Sequence, residues 1–209
     1  GRRPRPALAE TQTAITRMRC STMRMTAQQA PSAQRAADQI MRALLAAGFA
    51  AYRVGGCVRD FVRGFVPGDY DIVTSALPDQ IISLFPHTAD RGAKFGVVAV
   101  INDGYSCEVA TFRRDDIYED GRRPSQVHFS TAREDVLRRD FTINGLLMDP
   151  VSGQIIDYVD GRADIENKII RAICNSETRF SEDYLRMLRA VRFASNLNYE
   201  IDAGTKKAI

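Results

Sequence analysis

An α/β (α+β) head, a small mixed sheet backed by helices, followed by the start of an all-helical segment, is what this sequence predicts. Three observations carry the prediction. Short apolar strands alternate with stretches of helical spacing, the pattern of a sheet covered by helices. Gly55-Gly56 joins a strand to a helix, and Asn102-Asp103-Gly104 joins two strands as a hairpin turn. From about residue 175 the reading is helical.

Each element follows from its local pattern. Residues 1–30 are rich in Arg, Thr, Ala and Gln without apolar periodicity and read as a disordered basic arm. Its Arg-rich, acid-poor composition also resembles an organelle presequence, while Met25 would serve as an ordinary start and make the arm an extension. Ser32 to Ala47 predicts a helix with Ala36, Ile40, Ala43, Leu44 and Ala47 on one face and Gly48 as its stop. Tyr52 to Val54 is a strand, Cys57 to Arg63 a helix, and Pro67-Gly68 a turn into a strand at Asp69 to Val73. Pro78 to Phe85 is a helix opening on proline. Phe95 to Ile101 is almost continuously apolar, which predicts a central strand. Tyr105 to Phe112 pairs with it; Tyr105, Cys107 and Val109 share one face, Ser106, Glu108 and Ala110 the other. Residues 113–126 are polar and mixed in charge, a mobile loop. A helix within Ala132 to Leu147 carries Arg138 to Asn144, a strand covers Gln154 to Tyr158, and Glu182 to Phe193 is a helix whose apolar side is Tyr184, Leu185, Leu188 and Val191.

Composition narrows the class. The chain has 209 residues, 44% apolar, and no run near the roughly 20 apolar residues of a membrane span. The formal charge of +3 is misleading: residues 1–24 carry six arginines against Glu10, a net of +5, which leaves −2 for residues 25–209. A nucleic-acid surface must therefore be local. Cys20, Cys57, Cys107 and Cys174 are widely spaced, and His87 and His128 are the only histidines, which argues against zinc and for a reducing cytoplasm.

The chemistry gathers at residues 55–71. Glycines after a strand let backbone N–H groups approach a ligand closely, and a helix start favours anions. Asp69 and Asp71, at i and i+2 of a strand, point to one face, where their repulsion is relieved by a hard cation such as Mg²⁺ shared with substrate phosphates. Spacing alone leaves a solvated turn open. Glu108, an acid in an otherwise apolar strand, is a candidate third carboxylate, although a lone strand glutamate commonly faces solvent. Arg138-Arg139-Asp140 suits triphosphate and ribose contacts. Asp183 and Arg186, one turn apart, form either a surface ion pair or an acceptor beside a donor that matches the Watson–Crick edge of cytosine or adenine. Uracil and guanine would turn a carbonyl toward the carboxylate and lose a bond.

Gly55-Gly56-Cys57-Val58-Arg59-Asp60 with Asp69-Tyr70-Asp71 resembles the first motif of the class II tRNA nucleotidyltransferase and poly(A) polymerase family, within the polymerase-beta-like superfamily. Glu108 to Arg113, Arg138 to Asn144, Asp157 to Gly161 with Asp164, Lys168 and Arg171, and Glu182-Asp183 with Arg186 resemble the later motifs, in order. The third of these reads from its residues as structural, turn residues and a salt-bridged hinge.

The resemblance implies a catalytic head at 31–174 and the start of a helical neck at 175–209, with the rest of the neck, the body and the tail absent, so that the chain is expected to be a fragment. It implies two Mg²⁺ ions on Asp69 and Asp71, with Glu108 completing the site or assisting deprotonation. Gly55, Gly56, Arg59, Arg139 and Asp140 would bind the nucleotide's phosphates and ribose, Asp183 and Arg186 its base, and Arg189 and Arg192 would lie near it. The loop at 113–126 would cover the site during the final A addition. CTP and ATP are the implied substrates, and the 3′ end of tRNA the partner, for template-independent CMP and AMP addition. Three alternatives stay open: the A-adding half of a divided CC/A pair, a poly(A) polymerase, and a non-catalytic RNA-binding module that kept the fold.

Overall fold

The computed structural model describes residues 30–90, 92–115 and 127–209. Helix α1 (Ala30–Ala46) buries Ala33, Ala36, Ala37, Ile40, Met41 and Leu44, one face at helical spacing, and ends before Gly48, whose φ of +87° suits a residue without Cβ. Ala47, expected on that face, is exposed, because the helix has already ended. Then come β1 (Ala51–Val54), α2 (Gly56–Val62), β2 (Asp71–Thr74), α3 (Pro78–Leu84), β3 (Thr88–Asp90), β4 (Val97–Asn102) and β5 (Tyr105–Thr111). β6 (Arg113–Asp115) pairs antiparallel with β7 (Val127–Phe129), so the expected loop begins as a strand; residues 116–126 lie outside the described residues, as does the basic arm up to residue 29.

The remainder is α4 (Ala132–Leu137), β8 (Leu146–Met148), β9 (Ile155–Asp157), α5 (Gly161–Asn167), β10 (Ile169–Ile170), α6 (Ser176–Glu182), α7 (Leu185–Leu197), β11 (Glu200–Ile201) and α8 (Ala203–Lys207). Seven strands make one mixed sheet in the order β3-β4-β5-β2-β1-β8-β9, in which only β2 and β5 are parallel neighbours. The strand expected at the centre, β4, lies one in from the edge, and β2 takes the middle. Val98, Ala99 and Val100 are buried on both faces, which is why its sequence reads as central. Asp103 and Gly104 turn β4 into β5 with φ of +49° and +79°, the backbone of a tight hairpin.

The larger core packs α1, Ile72, Val98, Val100, Cys107 and Val109 on one face; the smaller one, Val54, Val73, Phe112, Val136 and Leu147, lies on the other, under α4. Residues after 175 are tied back by the parallel β10–β11 pair and by Arg171, which bridges Asp164 at 3.1 Å and Asp202 at 2.5 Å. That supports a salt-bridged, structural reading of Asp164 and Arg171.

Two expected helices are corrected. The one expected to carry Arg138 to Asn144 stops at Leu137, and Thr142–Asn144 is a separate 3-10 turn. The one expected from Glu182 to Phe193 breaks at Asp183 (φ −146°, ψ 103°), and α7 starts afresh at Leu185. Its presumed apolar side faces out, with Leu188 69% and Val191 53% exposed, while Arg186 and Ala190 are buried. The period was right and the phase wrong, because the inward anchor is an arginine held by hydrogen bonds.

Gly161, at the start of α5, packs directly on the 3-10 turn: a Cβ there would lie 2.2 Å from the carbonyl oxygen of Thr142. Gly161→Ala should therefore destabilise the fold by about 1–3 kcal/mol and lower the thermal midpoint by several degrees. An unchanged midpoint in a melting experiment would show that α5 shifts freely against residues 142–144.

Candidate active site

Gly55 is the pivot of the site. Its φ of +76° ends β1 and turns into α2, and a Cβ at this position would lie 3.7 Å from Asp71 Oδ2 and 3.8 Å from Arg139 Nη1. The bare glycine thus borders a carboxylate on one side and a guanidinium on the other.

Asp71 opens β2 opposite Val54 and one residue before the Ile72–Val109 pair of the parallel β2–β5 ladder, a register that sets Glu108 beside it on the same face. Its carboxyl is pushed up to about 6, first by desolvation and then by the charge of Glu108, while Arg139 pulls it down and Asp69 adds a smaller push. The residue still opens to solvent, as does Glu108, so the carboxyl is within reach of a ligand. Asp69 departs from expectation: it sits in the bend before the strand rather than on it, because β1 has already turned away at Gly55 and offers it no ladder partner. Glu108 therefore acts on Asp71 more strongly than Asp69 does.

Among the described residues, no three His, Cys, Asp or Glu side chains are gathered closely enough to hold a metal ion. Mg²⁺, however, is commonly held by one or two carboxylates together with substrate phosphates, and the negative charge crowded on Asp71 is what a cation would relieve. The donor set fits Mg²⁺ on that basis.

Asp135, which sequence reading missed, organises the cationic side. Thr131 and Glu134 start α4 as a reciprocal cap, which places fully buried Asp135 one turn before the arginine pair. Its Oδ1 accepts from Arg138 Nη2 at 2.7 Å and its Oδ2 from Arg139 Nη2 at 2.9 Å. Burial alone would raise the Asp135 carboxyl, but Arg139 and Arg138 overcome that and hold it below the ordinary carboxylate range. Arg139, clamped through Nε and Nη2, turns Nη1 toward Gly55 and Asp71. The i, i+3 and i, i+4 spacing from Asp135 to Arg138 and Arg139 was the signal available in the sequence.

The other expected residues split into two groups. Arg59 is 9% exposed, with its guanidinium on Asp60 at 3.0 and 3.1 Å and on Asn144 Oδ1 at 2.9 Å, so it braces the floor rather than facing the cleft. Asn144 Nδ2 donates to Asp140 Oδ1 at 3.2 Å, and Asp140 Oδ2 accepts from Arg189 at 2.7 Å. Asp140 is thus engaged on both oxygens, and Arg59, Asn144, Asp140 and Arg189 form a relay from α2 to α7. The Phe193 ring lies 5.6, 5.1 and 5.3 Å from the guanidinium carbons of Arg59, Arg189 and Arg192.

Asp183 and Arg186 are joined through the backbone, the Arg186 N–H donating to the Asp183 carbonyl at 3.0 Å, and their side chains take other partners. Asp183 Oδ1 accepts from the Leu185 N–H, whereas the Arg186 guanidinium is buried against Glu182 at 2.6 Å and the carbonyls of Arg179 and Arg138.

Residues 51–171 match the family model for the poly A polymerase head domain. The CCA-adding enzyme of Geobacillus thermodenitrificans is 50% identical over 171 residues, 81% of this chain and 42% of that enzyme. The crystal structure of the Bacillus stearothermophilus CCA-adding enzyme in complex with CTP superposes with a TM-score of 0.77 at 44% identity, covering 84% of this chain and 42% of that one. The Thermotoga maritima CCA-adding enzyme complexed with tRNA gives 0.69 at 25% identity, covering 85% and 41%. This chain spans about two fifths of the length of each. With more than half of its residues matched to the family model, the chain belongs to the poly A polymerase head domain family.

Proposed function

We propose that this chain is the catalytic head, residues 31–174, and the first neck helices, residues 175–209, of a template-independent nucleotidyltransferase that adds CMP and AMP to the 3′ end of tRNA. The observation that carries the reading is the juxtaposition at Gly55: a glycine with no side chain to screen its backbone, flanked by a carboxylate of raised pKa and by an arginine fixed from behind. The likeness to CCA-adding enzymes, one of them solved with CTP, supports it.

Asp69 and Asp71 would hold Mg²⁺, which would supply Lewis-acid activation of the primer hydroxyl and charge neutralisation at the pyrophosphate. The primer 3′-hydroxyl oxygen attacks the α-phosphorus of CTP or ATP as its proton passes to solvent with the assistance of Glu108; a new P–O bond forms and the bond to the β-phosphate oxygen breaks, releasing pyrophosphate. Arg139 neutralises the triphosphate beside the Gly55-Gly56 backbone. Glu108 adds to the negative field that favours the cation. Arg59 and Asp140 act as positioning residues through Asn144 and Arg189. Asp183 and Arg186 read the base once Arg186 exchanges Glu182 for the base edge, because the guanidinium is otherwise committed.

Asp135 supports this arrangement from inside the fold. Asp135→Asn should cost about 3 kcal/mol of stability at pH 7, since both guanidiniums then face a neutral amide. Because the folded-state pKa is depressed, the stabilisation is complete above the ordinary carboxylate value and fades as pH falls through the lower folded one. The wild-type advantage in denaturant titrations should thus shrink in acid; a gap that stays constant with pH would mean that charge is not what Asp135 contributes.

The function is tested with the full-length gene product, Mg²⁺, CTP and ATP on three tRNAs ending before CCA, after one C and after CC, with products sized to the nucleotide. Extension of all three to CCA and no further is expected, and Asp69→Asn and Asp71→Asn should abolish it while leaving the thermal midpoint in place. A single A added only to the CC-ended tRNA would assign the A-adding half of a divided pair, long A tails a poly(A) polymerase, and no extension a binding module.

A further inference from the structure

A cavity of about 560 Å³ opens at the end of α2 remote from Gly55, walled by α2, α5 and the turn from α7 into β11. Three cations line it, Arg63, Arg162 and Lys168, against one carboxylate, Glu166. Its wall continues into the segment 65–68 that runs directly to Asp69, and at its start Phe65 is 59% exposed and Val66 71% exposed. An apolar ring held out in solvent beside a set of cations is the arrangement that grips single-stranded nucleic acid, by stacking on bases and neutralising phosphates.

Helix stability accounts for two of these cations and not for the third. Lys168 and Arg63 cap the C-termini of α5 and α2, where a cation complements the helix dipole. Arg162 lies in the first turn of α5, where the dipole opposes a cation. Its side chain has no hydrogen-bond or ion-pair partner among the described residues, even though Glu166 lies one turn away on the same helix. Arg63 is preset: its guanidinium carbon lies 4.8 Å from the Phe65 ring and 5.6 Å from the Tyr199 ring, and Nη1 reaches Asp60 Oδ1 at 3.3 Å. That same oxygen of Asp60 holds Arg59, so one carboxylate links the cavity to the floor of the active cleft. The two ends of α2 are separated by the rise of its seven residues, roughly 10 Å.

We propose that this cavity is a single-stranded RNA subsite in which Phe65 stacks on a base of the primer strand behind its 3′ end and Arg63, Arg162 and Lys168 contact its phosphates. It deepens the nucleotidyltransferase reading and rests on it: a strand whose 3′-hydroxyl meets Asp69 and Asp71 passes the 65–68 segment on its way out of the cleft.

The test is fluorescence anisotropy of a fluorescein-labelled RNA decamer ending in CC, titrated with the 209-residue chain and its Phe65→Ala and Arg162→Ala variants at several salt concentrations. Loss of one stacked base should weaken binding roughly tenfold in Phe65→Ala. Loss of one phosphate contact should flatten the slope of log K against log salt by about 0.7 in Arg162→Ala. Both side chains are exposed, and thermal midpoints equal to wild type exclude a folding defect. Absence of decamer binding, affinities indifferent to both variants, or an equal weakening of CTP binding would overturn the subsite. So would AMP binding that depends on Phe65 and displaces the decamer, which would make it a site for free nucleotides. Extension of the CC-ended tRNA by the full-length gene product is scored separately. Phe65-dependent RNA binding without extension removes the nucleotidyl-transfer reading and leaves the subsite, whereas extension with variants that bind RNA like wild type does the reverse.

Discussion

The buried carboxylate of Asp135 is the interaction on which the rest of the candidate site depends. A lone carboxylate in that position would not remain ionised; two guanidiniums within hydrogen-bond reach keep it so and are themselves fixed in return. One of its oxygens serves each arginine, and the two arginines then diverge. Arg139 reaches forward toward Gly55 and Asp71, while Arg138 reaches to Asp115 of β6 and to the carbonyl of Arg113. A single short helix of six residues thereby sets the cationic wall of the cleft and the root of the segment that follows β6.

The same turn anchors the helical part of the chain. The Arg138 carbonyl accepts from Arg179 and Arg186, and Asp140 accepts from Arg189, so three arginines of α6 and α7 converge on Arg138 and Asp140 of the head. The contacts are hydrogen bonds from charged donors, which are shorter and more directional than apolar packing. They fix the rotation of α7 about its axis, and that rotation leaves Leu188 and Val191 facing outward. Arg59 completes the junction from α2 by way of Asn144.

What was legible in the sequence was whatever local rules determine. The glycine turn at Gly55, the hairpin at Asp103-Gly104, the stop at Gly48 and the inward face of β5 were all legible, since each depends on backbone conformation or a two-residue alternation. The misplaced features depend on partners distant in sequence. Nothing near Asp69 announces that β2 begins two residues later, because that limit is set by where β1 turns away. Nothing in Glu182 to Phe193 announces a break at Asp183 or the burial of an arginine, because the Arg179 and Arg138 groups that draw Arg186 inward beside Glu182 are backbone carbonyls, which carry no signature in the sequence. Asp135 was passed over for the opposite reason: its spacing to Arg138 and Arg139 was visible, but an aspartate on a short helix ordinarily decorates a surface.

Arg186 brings these strands of argument together. A guanidinium that is to read a base must present its donors in a fixed plane, yet here those donors are shared among Glu182 and the carbonyls of Arg179 and Arg138. All three acceptors belong to the junction between head and helices. A base that takes over one of these bonds therefore acts on the junction itself, and a junction that shifts changes the direction in which the guanidinium points. Base selection and the angle between α7 and the head are, on the proposed reading, two descriptions of one set of hydrogen bonds. The buried carboxylate behind Arg138 keeps that set in register with the phosphate side of the cleft.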